Sequence, residues 1–241
     1  MTTIASQLQQ VNARIAAACA QAGRSADSVA LLAVSKTFGA DAVLQAAQAG
    51  QRAFGENYIQ EAADKMAQLR ALAPALAAQL QWHCIGPIQS NKTRLVAAHF
   101  DWVHTVDRLK TAQRLSDQRP DGLAPLQLCI QVNVDGGATK SGVAPDEVPA
   151  LVQAIAGLPR LQLRGVMSIP DPVEGFDVQV ALHRRVRAVF DAVAASGLPG
   201  LQRWDTVSLG MTADLEAAVA AGSTLVRVGS GIFGARSYPA A

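Results

Sequence analysis

Lys36 follows the run Val29-Ala-Leu-Leu-Ala-Val-Ser, whose apolar residues read as a strand buried on both faces. An ammonium just past the end of such a strand has an apolar floor beneath it and water above. Partial desolvation disfavours its charged form, so its pKa falls and its amine becomes a usable nucleophile. From this stretch alone the plainer reading is the stronger one: a lysine that ends a strand and points to solvent.

Ser208-Leu-Gly-Met-Thr212 leads straight into the amphipathic run Ala213-Asp-Leu-Glu-Ala-Ala-Val. Gly210 permits a tight turn, and Thr212 is placed to cap a helix whose free N–H groups and dipole would suit an anion. Taken alone, an ordinary capped helix explains it as well. Gly229-Ser230-Gly231 repeats the theme, with small residues that let backbone N–H groups approach a ligand.

Arg227 stands among Leu225, Val226 and Val228, where its guanidinium cannot shed its charge and needs an acceptor. That acceptor is either a buried carboxylate or a ligand atom such as a pyridine nitrogen. An arginine donor would leave such a nitrogen unprotonated, and a cofactor held that way is a poor electron sink.

Two motifs fail on context. Gly229-Ser-Gly231-Ile-Phe-Gly234 spells the dinucleotide fingerprint, but too few residues follow for the helix, strand and ribose-binding acid it requires. Gly136-Gly-Ala-Thr-Lys140-Ser141 resembles a P-loop end, but Thr139 stands where a glycine must precede the lysine. The 4 histidines show no paired metal-ligand spacing, and no G-x-S-x-G elbow is present. Asn91-Lys92 either steadies a loop or touches a ligand.

The elements that must position these residues alternate regularly. A helical pattern over 4–22 comes first, closed by Gly23. Strand patterns follow over 29–34, 52–56, 81–86, 102–106, 126–134, 161–169, 206–210 and 224–230, the fifth being the longest. Helical patterns separate them over 40–49, 58–72, 90–98, 107–118, 145–156, 176–195 and 212–221.

Eight strands with seven intervening helices and one in front predict a single α/β domain over 1–241, a (β/α)₈ TIM barrel. The extra N-terminal helix would cover the place of a missing eighth helix. An open doubly wound sheet is the alternative, because counting strands does not prove closure. In a barrel, Lys36, Glu56-Asn57, Ser208–Thr212 and Gly229-Ser230 all lie at the C-terminal ends of strands, where chemistry collects. Barrels also bind phosphate at the loops after strands seven and eight.

Composition narrows the function classes. Of 241 residues, 50% are hydrophobic and 17% charged, ample for a large core, and the net charge of +2 is scattered. Aromatic residues do not interleave with basic ones, so no nucleic-acid surface is indicated. The 3 cysteines sit singly in apolar runs and read as reduced core residues of a cytoplasmic protein. The start carries no signal-peptide pattern, and no apolar stretch reaches membrane-spanning length.

Six blocks taken together resemble the pyridoxal phosphate homeostasis proteins, the YggS/PROSC family. They are Ala33-Val-Ser-Lys36-Thr, Phe54-Gly-Glu-Asn57-Tyr, Trp82 to Lys92, Arg164-Gly-Val-Met-Ser-Ile-Pro170, Ser208 to Thr212 and Val226 to Arg236. The resemblance implies a fold-type III barrel related to the N-terminal domain of alanine racemase. It implies pyridoxal 5′-phosphate (PLP) held as a Schiff base on Lys36, with Thr212, Gly229 and Ser230 on the phosphate. Arg227 would face the pyridine nitrogen, with Asn57 and Ser208 near the cofactor, and Lys140 would match a second lysine that handles PLP. Thr212 stands where the family more often has serine, and the usual Asn, Ser and acidic residues ahead of Lys140 are missing.

The expected function is PLP homeostasis: binding, buffering and delivery, with apo PLP-dependent enzymes as partners and a monomer or weak dimer as the assembly. The alternative is an amino-acid racemase of the alanine racemase type. Racemisation needs a base on each face of the substrate. In alanine racemases the second base is a tyrosine from a further C-terminal domain, which this chain, ending at Ala241, is expected to lack. Tyr58 and Tyr238 stand in other contexts.

Overall fold

Eight parallel strands close into a barrel in chain order, each paired to its neighbour in sequence and the eighth to the first. The computed structural model describes residues 3–137 and 141–235. The strands are β1 Ala30–Val34, β2 Ala53–Glu56, β3 Gln81–Cys84, β4 Trp102–Val106, β5 Leu126–Gln131, β6 Leu161–Met167, β7 Thr206–Ser208 and β8 Leu225–Val228. Closure is carried by the register Leu32↔Arg227 and Ala33↔Val228, which excludes the open sheet.

Helix α1 (Ile4–Gln21) precedes the barrel, and α2 (Ala40–Gln48), α3 (Ile59–Leu72), α4 (Pro74–Ala77), α5 (Thr93–His99) and α6 (Leu109–Gln118) surround its first half. Helices α7 (Val148–Ala156), α8 (Phe176–Ala194), α9 (Leu215–Ala220) and α10 (Ser230–Phe233) complete it. Outward strand residues such as Ala33, Val103 and Val226 pack under these helices in one continuous apolar layer. The apolar stripe of α1, from Leu8 through Val11 and Ile15 to Cys19, joins that layer against α2, α9 and α10. It thus covers the gap beside the one-turn α10, as expected.

Several bounds differ from the sequence reading, among them the ends of β3 and β7 and the start of α5. The longest strand is β6, because β5 ends at Gln131, beyond which Val132 gives one hydrogen bond to the Met167 carbonyl and bridges Val143. Helix α9 begins at Leu215 rather than at 212. The short α4 and α10 carry too few residues to show a helical period. Residues 229 and 230 do not extend β8, since Gly229 already caps α10.

The barrel interior holds small apolar clusters, Leu32, Val34, Ile85 and Leu225 at one level and Trp102, Cys129 and Met167 at another. Cys19, Cys84 and Cys129 are free and buried, and burial pushes the last two thiols up to about 12, so they are unreactive at neutral pH. No helix among the described residues is long and apolar enough to cross a membrane.

Candidate functional site

At the C-terminal mouth of the barrel lies a cavity of about 260 Å³. Lys36, Asn57, Thr212, Arg227, Gly229 and Ser230 all line it, six of the seven residues singled out from sequence. Strand parity explains the convergence. Leu32 and Val34 point inward from β1, and Lys36 continues that alternation just beyond the strand.

The turn bearing Lys36 is held from both sides. Ser35 is buried, and its hydroxyl donates to Glu56 Oε1 at 2.6 Å. Lys65 Nζ donates to the same carboxylate oxygen at 2.6 Å and to the Ser35 carbonyl at 2.9 Å. Burial raises the Glu56 carboxyl although Lys65 beside it pulls the other way. Thr37, at a left-handed φ of 69°, donates its N–H to Glu61 Oε1 at 2.8 Å. The sequence placed Glu56 at the barrel mouth; the structure instead turns its carboxylate outward, beneath α3, to anchor this turn.

Thr212 does not cap a helix. Asp214 is the residue before α9, and its carboxylate accepts from the Met211 N–H at 2.6 Å instead of from the helix. The intervening turn is tighter than a capped start, because Gly210 adopts φ 87° with Ala218 so close that a Cβ would lie 2.5 Å from it. This frees Thr212 to meet the loop after β8, where Ser230 Oγ donates to Thr212 Oγ1 at 3.3 Å. Among the described residues, nothing accepts from the backbone N–H groups of Thr212, Ala213 and Ser230. Three N–H groups and two hydroxyls at one wall make an anion cradle.

Arg227 is 4% exposed, and among the described residues none of its hydrogen-bond partners is a carboxylate. Nη1 donates to the Ser208 carbonyl at 2.7 Å and to Ser208 Oγ at 2.8 Å, while Nη2 donates to the Ser168 carbonyl at 2.9 Å. Burial pushes its pKa down to about 10, so it stays cationic at neutral pH. Three of five N–H groups are thereby engaged, and two have no partner among the described residues. Ser208, the seventh candidate, is not a cavity wall; it lies beneath Arg227 and holds it. Lys92 reaches Gln60 rather than the cavity, and Lys140 lies outside the described residues.

Residues 7–237 match the family described as alanine racemase, N-terminal domain. The pyridoxal phosphate homeostasis protein of Pseudomonas aeruginosa is 53% identical over 240 residues, covering 100% of this chain and 99% of that one. Its counterpart in Escherichia coli K12 is 51% identical over 239 residues, covering 99% of each. The chain belongs to the pyridoxal phosphate homeostasis protein family. A solved structure of PipY from Synechococcus elongatus PCC7942 with PLP bound is similar at 33% identity and a TM-score of 0.81, covering 96% of this chain and all of that one.

In this member of the family, the sequence reading missed a polar chain inside the barrel. Ser208 Oγ lies 3.0 Å from His104 Nδ1, and His104 Nε2 lies 2.9 Å from His83 Nδ1. Arg227 can only donate, so Ser208 Oγ accepts from it at one end of the run, and the two imidazole contacts continue the run inward from Ser208. His83 is left with a buried Nε2 that has no partner. Its ring stacks on Trp102 at 5.1 Å, and Arg164 covers the indole at 4.5 Å. Burial pushes His83 down to about 3 and His104 well below the ordinary imidazole value, with nearby positive charge adding to it. The signal was strand alternation, which places His83 in step with Ile85, and His104 with Trp102, on the inward face.

Proposed function

We propose that the chain binds PLP in this cavity, with the aldehyde held as a Schiff base on Lys36, and that it stores and delivers PLP to apo-enzymes. The observation that carries the reading is the sharing of one cavity by Lys36, the buried Arg227 and the Thr212–Ser230 cradle. The names of the relatives and the PLP-bound PipY structure support it.

The residues fit the group by their chemistry. The cradle offers hydroxyl and N–H donors and no carboxylate, which suits a phosphate dianion. Asn57 Oδ1 is buried without a partner and leaves an acceptor for a ligand donor. Bound PLP supplies a reactive aldehyde and an electron-withdrawing ring. Arg227 donates from a guanidinium that is still cationic at neutral pH, so it keeps the ring nitrogen unprotonated and the electron sink weak.

The ionisable groups support storage rather than turnover. Among the described residues lining the cavity, Lys36 and Arg227 are the only ionisable side chains. Arg227 is no base at neutral pH, so the described residues lining the cavity offer no second base of the kind that racemisation needs. Holo-protein incubated with L- or D-alanine or serine in deuterated water should therefore show no α-proton exchange, and should transfer PLP to an apo-enzyme. Exchange at about 1 s⁻¹ or faster, abolished in Lys36→Ala, would instead establish the racemase reading.

Thr212→Ala and Ser230→Ala should each weaken PLP retention by about 1–2 kcal/mol, the loss of one charge-assisted hydrogen bond. Equilibrium dialysis measures it. An unchanged affinity in the double variant would place the phosphate at another wall.

A further inference from the structure

Two side chains that line no part of the cavity hold the turn that carries Thr212. Arg14, on α1, donates from Nη2 to the Thr212 carbonyl at 3.0 Å. Its guanidinium is itself fixed by Glu216 of α9, with Nε to Oε1 at 2.8 Å and Nη2 to Oε2 at 3.0 Å. From the other side His183, on α8 and 2% exposed, places Nε2 2.9 Å from Asp214 Oδ2. The other oxygen of Asp214 accepts the Met211 N–H. The turn is thus held at Met211, Thr212 and Asp214 by elements on opposite flanks.

Such a turn needs holding. Met211 is 40% exposed, so apolar packing does little to fix it. Burial alone would raise the Asp214 carboxyl, but the hydrogen bonds from His183 and the Met211 N–H outweigh it and leave the carboxyl below its usual value. A cradle whose donors are ordered before binding costs a ligand less entropy than one ordered on contact. That gain reaches only the part of a ligand which touches the cradle.

We propose that Arg14 and His183 are positioning residues for the phosphate end of the cavity, so that the preference for a phosphorylated over an unphosphorylated pyridine aldehyde is set partly by the leading helix and by α8. The inference rests on the phosphate placement above and adds what selects for the phosphate. It also gives α1 a task besides covering the barrel.

The test compares PLP with pyridoxal, which shares the ring and the aldehyde but lacks the phosphate. Dissociation constants for both are measured by absorbance titration on wild type, Arg14→Met, His183→Leu and His183→Gln. Arg14→Met keeps the apolar stem at a partly exposed position, so it stays informative if His183→Leu does not fold.

Arg14→Met and His183→Leu should each narrow the PLP-to-pyridoxal affinity ratio about tenfold, with pyridoxal affinity nearly unchanged. His183→Gln, which keeps a donor towards Asp214, should recover most of the ratio. In ligand-free His183→Leu the Met211 amide should also exchange with deuterium faster than in wild type. Equal losses for both ligands, or an unchanged ratio in the variants, would overturn the proposal while leaving the phosphate placement intact. A wild type that binds both ligands equally would remove the phosphate placement, and this inference with it.

Discussion

Borohydride treatment of the PLP-loaded protein should leave a reduced adduct on Lys36 and on no other lysine, and Lys36→Ala should abolish it. The expectation combines two facts of placement. Lys36 is the only lysine among the described residues lining the cavity. The turn that presents it is fixed by the buried Ser35–Glu56–Lys65 group and by the Thr37–Glu61 hydrogen bond. Lys65 is the nearest lysine in sequence, but its ammonium is 4% exposed and already gives hydrogen bonds to Glu56, Glu61 and the Ser35 carbonyl. An amine so engaged is not available to an aldehyde. Peptide mapping of the reduced protein reads the result. An adduct on Lys92 or Lys140 with Lys36 unmodified would overturn the assignment.

Stability should fall steeply on mild acidification, because two histidines are buried in neutral form inside the barrel. Their folded pKa values lie below the ordinary imidazole value of about 6.5. Protonation therefore favours the unfolded chain. The contribution is fully present above the ordinary value, declines as pH drops below it, and for His83 levels off near about 3. Between pH 7 and pH 5 the linkage for His83 amounts to about 2 kcal/mol, and His104 contributes in the same direction.

Glu56 and Asp101, whose carboxyls burial raises, contribute in the opposite sense over their own titration ranges. The histidine share is isolated by His83→Phe, which keeps an aromatic ring beside Trp102 and removes both the titrating group and the unpartnered Nε2. Urea unfolding at the two pH values should show the variant losing about 2 kcal/mol less than wild type on acidification. Equal losses in the two proteins would refute the account of the interior chain. The same chain supports Arg227 through Ser208, so a protonated His104 would place a second positive charge beside the guanidinium.

Much of this was legible in the residues. Alternating strand and helix periods followed the barrel in order, since each period reflects which face of an element is buried. The residues ending strands one, two, seven and eight could be grouped because parallel closure carries all those ends to one mouth. Strand closure itself was decided only in three dimensions, by the register of β1 against β8. So was the work of individual polar groups. Arg227 in an apolar strand announced a need for an acceptor, but its acceptors are the carbonyls of Ser208 and Ser168 and the hydroxyl of Ser208, far apart in the chain.

Thr212 read as a helix cap from its neighbours, and the fold instead turned it towards Ser230, because Asp214 bonds to Met211 and His183 and delays the helix. The same limit hid the links from Arg14 to Thr212 and from His104 to Ser208. A local pattern reports the burial of a side chain, which depends on periodicity within one element. The partner of a buried donor depends on which distant elements pack against it, and that is settled only when the barrel closes.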